Sequence, residues 1–443
     1  MSKIKKLKNK VMHYEWGSLH LLQQFLGLEN SNGTADPALP FAELWMGTHK
    51  NAPSHIITDE ASDKNIDKVE FPKINNSPSD LQNAKITSLT DVCGELPFLL
   101  KLLAVEKPLS IQAHPDKKQA EEGFLKEENA CFDINDPARN YKDSNHKPEI
   151  VCALTPFTLM AGFREPEEIC KLLDEFSLAE QQLDKIIEPM KNALKSGNSN
   201  YTLPVQCCKT APGSGSLSKF LDLLLNLSKP DVNYLCSFFL NRKNVKKSGS
   251  VITDDLWELM KKFAQNYPCD PAILSPLYLN TLTLQPGQAI YVPARVLHAY
   301  ISGFAVELMT SSDNVLRGGL TPKYIDKNEL MNILDFSPFI PQVISPPEGE
   351  SCFFYHTPCE EFLLLSMKGK GESVFPGKSP SICVVIEGEL KTGGINFKKG
   401  DSFFIPKGKE SYVFEGSYSL FAACMGMKGD PADQGSLRSV LKE

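Results

Sequence analysis

The hydrophobic period of this chain changes twice, and that ordering limits its fold more than any other feature. Up to about residue 165, short apolar runs such as 98–103 and 151–154 are broken by turn formers and read as strands. From Glu165 the spacing turns helical, through 167–173, 178–194, 217–227 and 254–263, enough for four or five helices between 165 and 265. The loop from Ala211 to Ser216 ends in a residue suited to cap the third of these. Strand character returns at Leu279 and persists to the end, while residues 56–92 are polar, aperiodic and read as a surface excursion. Helices clustered between two strand-rich parts predict a mainly β fold with an inserted α-helical domain, not alternating βαβ units.

An internal echo sharpens this reading. The segments from Gly287 to Pro293 and from Gly400 to Pro406 share the pattern Gly-x5-Pro, each a turn, a buried strand and a proline exit. Five residues beyond the first proline stands His298; beyond the second stands Ser411. Between the two copies, residues 383–391 read as strand, tight turn and strand. The repeated pattern resembles the second motif of the cupin superfamily, whose small jelly-roll barrels carry a metal-binding histidine shortly after that proline. The resemblance implies two cupin-type jelly-roll barrels. The expected domains are a catalytic barrel from 1–164 plus 266–330, the helical insertion at 165–265, and a metal-free carboxy-terminal barrel at 331–443.

Composition serves mainly to exclude. The 443 residues would make two or three domains at about 150 residues each. With 47 Lys and Arg against 54 Asp and Glu, the net charge of −7 provides no basic field, so nucleic acid is not an expected partner. The longest charge-free stretch, 271–294, contains Pro271, Pro276, Pro286 and Pro293 and cannot be a membrane helix. Lysines near the start are followed by no apolar core of a secretory signal. Twelve scattered cysteines with no C-x-x-C pair fit reduced thiols in a cytoplasmic protein. An anionic small molecule remains admissible, because net charge does not describe one pocket.

Of eight histidines, His114 stands apart, since Gln112 and His114 are two residues apart and would leave one face of a strand together. Cupins commonly place His-x-His here, so a carboxamide oxygen replaces one imidazole. In the run Tyr141-Lys-Asp-Ser-Asn-His-Lys-Pro-Glu149, Pro148 biases Lys147 towards an extended backbone, which sets Lys147 and Glu149 on one face. Two histidines, one carboxylate and one amide oxygen suit Zn2+ with room for water or substrate. Spacing alone is served equally well by a Glu149–Lys147 ion pair.

The densest segment runs from His298 to Lys323. A strand carrying Val306 and Leu308 inward, with Glu307 also inward near His298, ends in the polar turn Ser311-Ser312-Asp313-Asn314. Arg317 and Lys323 follow in a Gly-rich loop expected at the barrel mouth, where a planar guanidinium and a compact ammonium would clamp an anion. Solvated surface charge is the plainer reading of the same pair.

Residues 141–149 and 298–323 are similar to the two signature segments of the type I phosphomannose isomerases, zinc enzymes of the cupin superfamily. Further matches are Tyr14-Glu-Trp-Gly-Ser18, Ala42-Glu-Leu-Trp-Met-Gly-Thr-His49 and residues 97–103 leading to Ser110 through Pro115. Thr310 and Gly318 stand where alanine is expected, and Gly318 would loosen the segment bearing Arg317. The resemblance implies one Zn2+ per chain on Gln112, His114, Glu149 and His298, with Arg317 catalytic. It implies an aldose–ketose isomerisation of mannose 6-phosphate and fructose 6-phosphate through an enediol, on the route to GDP-mannose and mannosylation. Glu307 is the first and Lys147 the second candidate proton carrier. Lys323, Ser110 and Lys101 would meet phosphate or hydroxyls, and Trp16 and Tyr300 would line the sugar pocket, whereas Trp45 reads as core. The expected partner is one small phosphorylated sugar, with no membrane and no nucleic acid, for a monomer. Competing classes are an Fe2+ cupin dioxygenase and a sugar-binding cupin without catalysis.

Overall fold

The computed structural model describes residues 4–28, 39–57, 87–195, 215–241, 251–408 and 411–426. The amino-terminal part supplies strands β1 (Lys5–Lys8), β2 (Lys10–Met12), β3 (Glu43–Gly47), β4 (His55–Ile56), β5 (Thr87–Ser88), β6 (Phe98–Val105), β7 (Ile111–Ala113), β8 (Glu149–Ala153) and β9 (Phe157–Phe163). Helices α1 (Leu21–Phe25), α2 (Leu89–Cys93) and α3 (Lys117–Asn129) interrupt them. No helix is expected there from the sequence period, and α3 shows why. It is nucleated by a reciprocal capping box between Asp116 and Gln119, yet buries only Ala120 and Gly123, so it has no apolar stripe to reveal it.

Five helices then follow one another: α4 (Pro166–Ser177), α5 (Gln181–Lys195), α6 (Gly215–Leu225), α7 (Lys229–Asn241) and α8 (Asp254–Asn266). Pro166 starts α4 where its missing N–H costs nothing, and the Thr253 side chain caps α8 by accepting from Leu256 N. Their shared core contains Ile169, Phe176, Leu183, Phe220, Phe239 and Phe263, and it continues without a break to Ile111, Ala299 and Leu316 among the strands. Phe220, Leu221, Leu224 and Leu225 are buried in it. Residues 211–214 of the expected capping loop, and 58–86 of the expected surface excursion, lie outside the described residues.

The chain returns to strands after α9 (Ser275–Tyr278), with β10 (Leu279–Leu284), β11 (Ala289–Val292), β12 (His298–Thr310) and β13 (Leu316–Gly319). After α10 (Lys327–Ile333) come β14 (Val343–Ile344), β15 (Cys352–Tyr355), β16 (Leu363–Pro376), β17 (Ser381–Thr392), β18 (Ile395–Lys398), β19 (Ser402–Ile405) and β20 (Ser411–Cys424). All strands pair antiparallel into two large sheets, the jelly-roll material of two cupin-type barrels. In the first, β12 is the spine: its later half pairs β6 and β8, and its beginning pairs β7 and β9, so the sheet folds over at β12. The Gly-x5-Pro echo is structural. Gly287 and Gly400 adopt φ of 87° and 88°, conformations that favour glycine, and each leads into a short strand followed by a long one, β11 to β12 and β19 to β20.

Three sequence expectations change here. Residues 383–391 form no hairpin: β17 runs unbroken through them, with a register shift between Val385 and Glu387, and the turn comes at Gly393 and Gly394. Val306 and Leu308 face Leu100, Leu102, Ile382, Val384 and Phe404 in the core between the two sheets, so the alternate residue Glu307 is the one turned into the first barrel. The sheets also exchange strands across the expected boundaries, since β1 pairs β19 of the second sheet and β14 pairs β11 of the first. The second barrel is filled by Phe375, Phe397, Phe403 and Phe414. Among the described residues no cysteines are paired, and Cys207 and Cys208 lie outside them.

Candidate active site and metal centre

The register of the first sheet brings distant motifs side by side. Gln112 on β7 is the Cα partner of both His298 at the start of β12 and Arg317 on β13. Glu149 opens β8, opposite Met309 of β12 and Val292 of β11, and His114 follows directly after β7. One atom each from His114, Glu149 and His298 lies within 4.8 Å of the others, and all three residues are at most 1% exposed.

The two imidazoles are oriented alike. His114 Nδ1 lies 2.6 Å from Asn314 O, and His298 Nδ1 lies 3.0 Å from Val296 O. A carbonyl only accepts, so each Nδ1 carries the proton and each Nε2 offers a lone pair, the tautomer a metal ligand needs. Those Nε2 atoms lie 3.3 and 3.2 Å from Glu149 Oε1 and Oε2, and Gln112 Nε2 is 3.5 Å from His298 Nε2. His114 Nε2 is a buried atom without a hydrogen-bond partner. Burial holds the His114 pKa down to about 4, Lys147 adding to the effect and Glu149 opposing it. Burial disfavours the Glu149 carboxylate, but Lys147 and His114 outweigh it and hold its pKa well below the ordinary value. Two neutral imidazoles, an ionised carboxylate and an amide form a donor set that fits Zn2+.

A second buried cluster adjoins the first. Lys101 Nζ on β6 lies 3.1 Å from Glu307 Oε2 and 3.7 Å from Glu43 Oε2, and 5.1 Å over the Trp45 ring. Trp45 is core, at 8% exposure, but its indole N–H donates to Glu43. Lys147 Nζ lies 3.0 Å from Glu149 Oε1, and Tyr300 Oη donates to Glu149 Oε2 at 3.2 Å. Burial pushes the Glu307 pKa up against the pull of Lys101. Burial would deprotonate Lys101, yet Glu307, Glu43 and Glu149 together raise its pKa. Three carboxylates, Glu43, Glu149 and Glu307, face two ammonium groups, Lys101 and Lys147. One negative charge is thus unmatched, and a divalent cation on the histidines would outweigh it, leaving the cluster at +1.

Arg317 lies on strand β13, not in a loop, and is half-buried, whereas Lys323 is exposed beyond it. Burial lowers the pKa of Arg317; that of Lys323 is lowered by partial desolvation and then by the nearby Arg317 charge. Ser110 is half-buried just before β7. Trp16 stacks on Tyr14 at 5.7 Å and packs against the barrel core containing Tyr300. Tyr300 is 1% exposed, so it supports Glu149 from inside and does not line an open sugar pocket. Lys101, bound to two carboxylates, is likewise no free cation for phosphate. Gly318 has no strained backbone, while its neighbour Gly319, at φ 133°, is pressed against Ala272; Thr310 donates to His146 O at 2.6 Å. His146 Nε2 meets Glu361 Oε1 of the second barrel at 2.7 Å.

Sequence reasoning did not assign Glu43, Asp313, Asn314 or Tyr14. Asp313 pairs with the buried His49 at 3.0 Å, and burial, then Glu43, lifts the Tyr14 phenol to about 12. All four lie within the motifs quoted above, but nothing in their spacing shows that they meet.

A jelly-roll barrel holding two histidines and a carboxylate beside a buried lysine–carboxylate cluster defines a metal-binding cupin. A family model described as phosphomannose isomerase type I, catalytic domain, matches residues 4–166. The mannose-6-phosphate isomerase of Salmonella typhimurium is 35% identical over 336 residues, covering 76% of this chain and 75% of that one. That of Escherichia coli is 32% identical over 420 residues, covering 93% and 97%. A solved mannose 6-phosphate isomerase with zinc bound superposes with a TM-score of 0.74 at 30% identity, covering 96% of this chain and all of that one. The chain belongs to the type I mannose-6-phosphate isomerase family.

Proposed function

We propose that the chain interconverts mannose 6-phosphate and fructose 6-phosphate through an enediol, with one Zn2+ held by Gln112, His114, Glu149 and His298. The observation that carries this reading is the pair of buried Nε2 lone pairs facing one carboxylate, Glu149. Bound there, the ion would supply Lewis acidity for negative charge developing on the sugar oxygens.

The remaining roles follow from the chain's own side chains. Glu307 carries the proton between C1 and C2: its raised pKa brings it nearer neutrality, and Lys101 at 3.1 Å stabilises the carboxylate form that accepts. Lys147, the second candidate, is drawn to Glu149 and holds that ligand ionised. Arg317, half-buried next to Gln112 in the sheet, offers a planar donor to the oxygens of the enediol, and exposed Lys323 with Ser110 anchors the phosphate. Trp16 flanks the sugar. The mannose 6-phosphate formed would serve GDP-mannose synthesis and mannosylation. We further propose a cytoplasmic monomer of three domains; no helix among the described residues is long and apolar enough to cross a membrane.

Metal analysis with a coupled assay from mannose 6-phosphate tests this. The expected result is zinc with turnover; iron alone and no aldose–ketose conversion would sink it. Arg317→Ala should lose activity and keep zinc, His298→Ala should lose both, and Glu307→Gln should keep zinc while kcat falls roughly 100-fold or more.

A further inference from the structure

Asn314 is fully buried, in the turn between β12 and β13, and every polar atom it has is engaged. Its Oδ1 accepts from Lys142 N at 2.6 Å and Asp143 N at 3.2 Å. Its Nδ2 donates to Asp143 O at 2.8 Å and Asn145 O at 2.9 Å, with Asp143 Oδ1 at 3.4 Å. Its backbone N–H donates to Ser312 Oγ, and its carbonyl accepts from His114 Nδ1 at 2.6 Å. The same turn is fastened to the same loop by further bonds: Ser312 Oγ and Asp313 N donate to the Asp143 carboxylate at 2.9 and 2.8 Å, Ser312 Oγ also meets Asn145 O at 3.2 Å, and Asn145 Nδ2 donates to Ser311 O at 3.4 Å.

Three segments therefore converge on one residue. The carbonyl fixes the tautomer and direction of His114. The carboxamide holds residues 142–145, which lead within four residues to Lys147 and Glu149. Arg317 lies three residues further along its own strand. A carboxamide is the one side chain of this size that offers a double acceptor and a double donor to backbone groups at once.

We infer that Asn314 is the positioning residue of the metal centre: its side chain locks the loop that delivers Glu149 against the turn whose carbonyl orients His114. Both ligands are then held to one geometry by a residue that touches neither metal nor substrate. The inference rests on the reading of His114 and Glu149 as zinc ligands.

Asn314→Asp is nearly isosteric. It keeps the two bonds to Oδ1 but sets a carboxylate oxygen against the carbonyls of Asp143 and Asn145. Zinc release into excess chelator is measured for the zinc-loaded parent, for Asn314→Asp, and for Ser373→Ala, which deletes a hydrogen bond to Tyr418 in the second barrel. The expected result is release about 10–100-fold faster from Asn314→Asp, with Ser373→Ala unchanged. Excess zinc should refill the site of Asn314→Asp without restoring kcat. Release within twofold of the parent overturns the inference. If Asn314→Asp does not fold, Asn314→Ser is measured in its place, and failure of both also overturns it, since the residue would then act on the barrel as a whole. A parent that binds no zinc overturns the ligand reading itself, which separates the two failures.

Discussion

At the scale of single residues, the same burial gives opposite outcomes at two glutamates. Glu149 is surrounded by Lys147 and two imidazoles, and their attraction outweighs its desolvation, so it stays ionised. Glu307 shares Lys101 with Glu43 and feels Glu149 as well, so desolvation prevails and its pKa rises. His114 supplies a test in the metal-free protein. Its pKa of about 4 lies below the roughly 6.5 of an unfolded histidine. The unfolded chain therefore takes up a proton first as pH falls, and stability present above pH 6.5 is lost progressively towards pH 4. The loss is on the order of 3 kcal/mol from this residue. Urea unfolding of the metal-free protein at pH 7 and pH 5 should show it, and His114→Gln should flatten the dependence; an equal slope in both would count against the assignment.

At the scale of elements, the Gly-x5-Pro repeat works through backbone conformation. Gly287 has nothing within 4 Å of where a Cβ would stand, so Gly287→Ala carries only the strain of φ 87°, roughly 1–2 kcal/mol. Gly388, at φ 70° inside β17, would place its Cβ 2.0 Å from Ser417 O. Gly388→Ala should cost a further 1–3 kcal/mol or so, because the partner strand β20 must shift. Urea midpoints of the two variants compare them directly, and a smaller loss at Gly388 would contradict the observed register. This also explains why 383–391 resembles a hairpin in the sequence. Its Glu-Gly dipeptide is a turn signal locally, but pairing with β20 for ten residues keeps the strand continuous and uses the glycine for close approach.

At the scale of the molecule, the amino-terminal strand fastens the two halves. β1 lies between β19 and β4, and Lys6 pairs with Asp401 at 2.8 Å. Removing residues 1–8 would uncover the edge of β19, and a Tm lower by about 5 °C with concentration-dependent association is expected; an unchanged melting curve and elution volume would refute it. The helical insertion, both Gly-x5-Pro units and the ligand candidates His114, Glu149 and His298 were legible in the chain, because hydrophobic period, turn chemistry and donor type are local properties. Helix α3 was hidden because it buries only two residues of its own. Lys101 and Tyr300 read as substrate-facing from the sequence because a lysine or tyrosine carries no local sign of its partner. What the sequence by itself determined is the order of strand-rich and helical parts and which chemical groups are present. Only the tertiary structure decided that Lys101 and Lys147 are bound to carboxylates, that β1 and β14 change sheets, and that Asn314 joins the loops of two ligands. Those outcomes depend on strand register between residues up to about 400 positions apart, and the free energy that selects a register comes from burial of whole faces, which no local stretch of residues encodes.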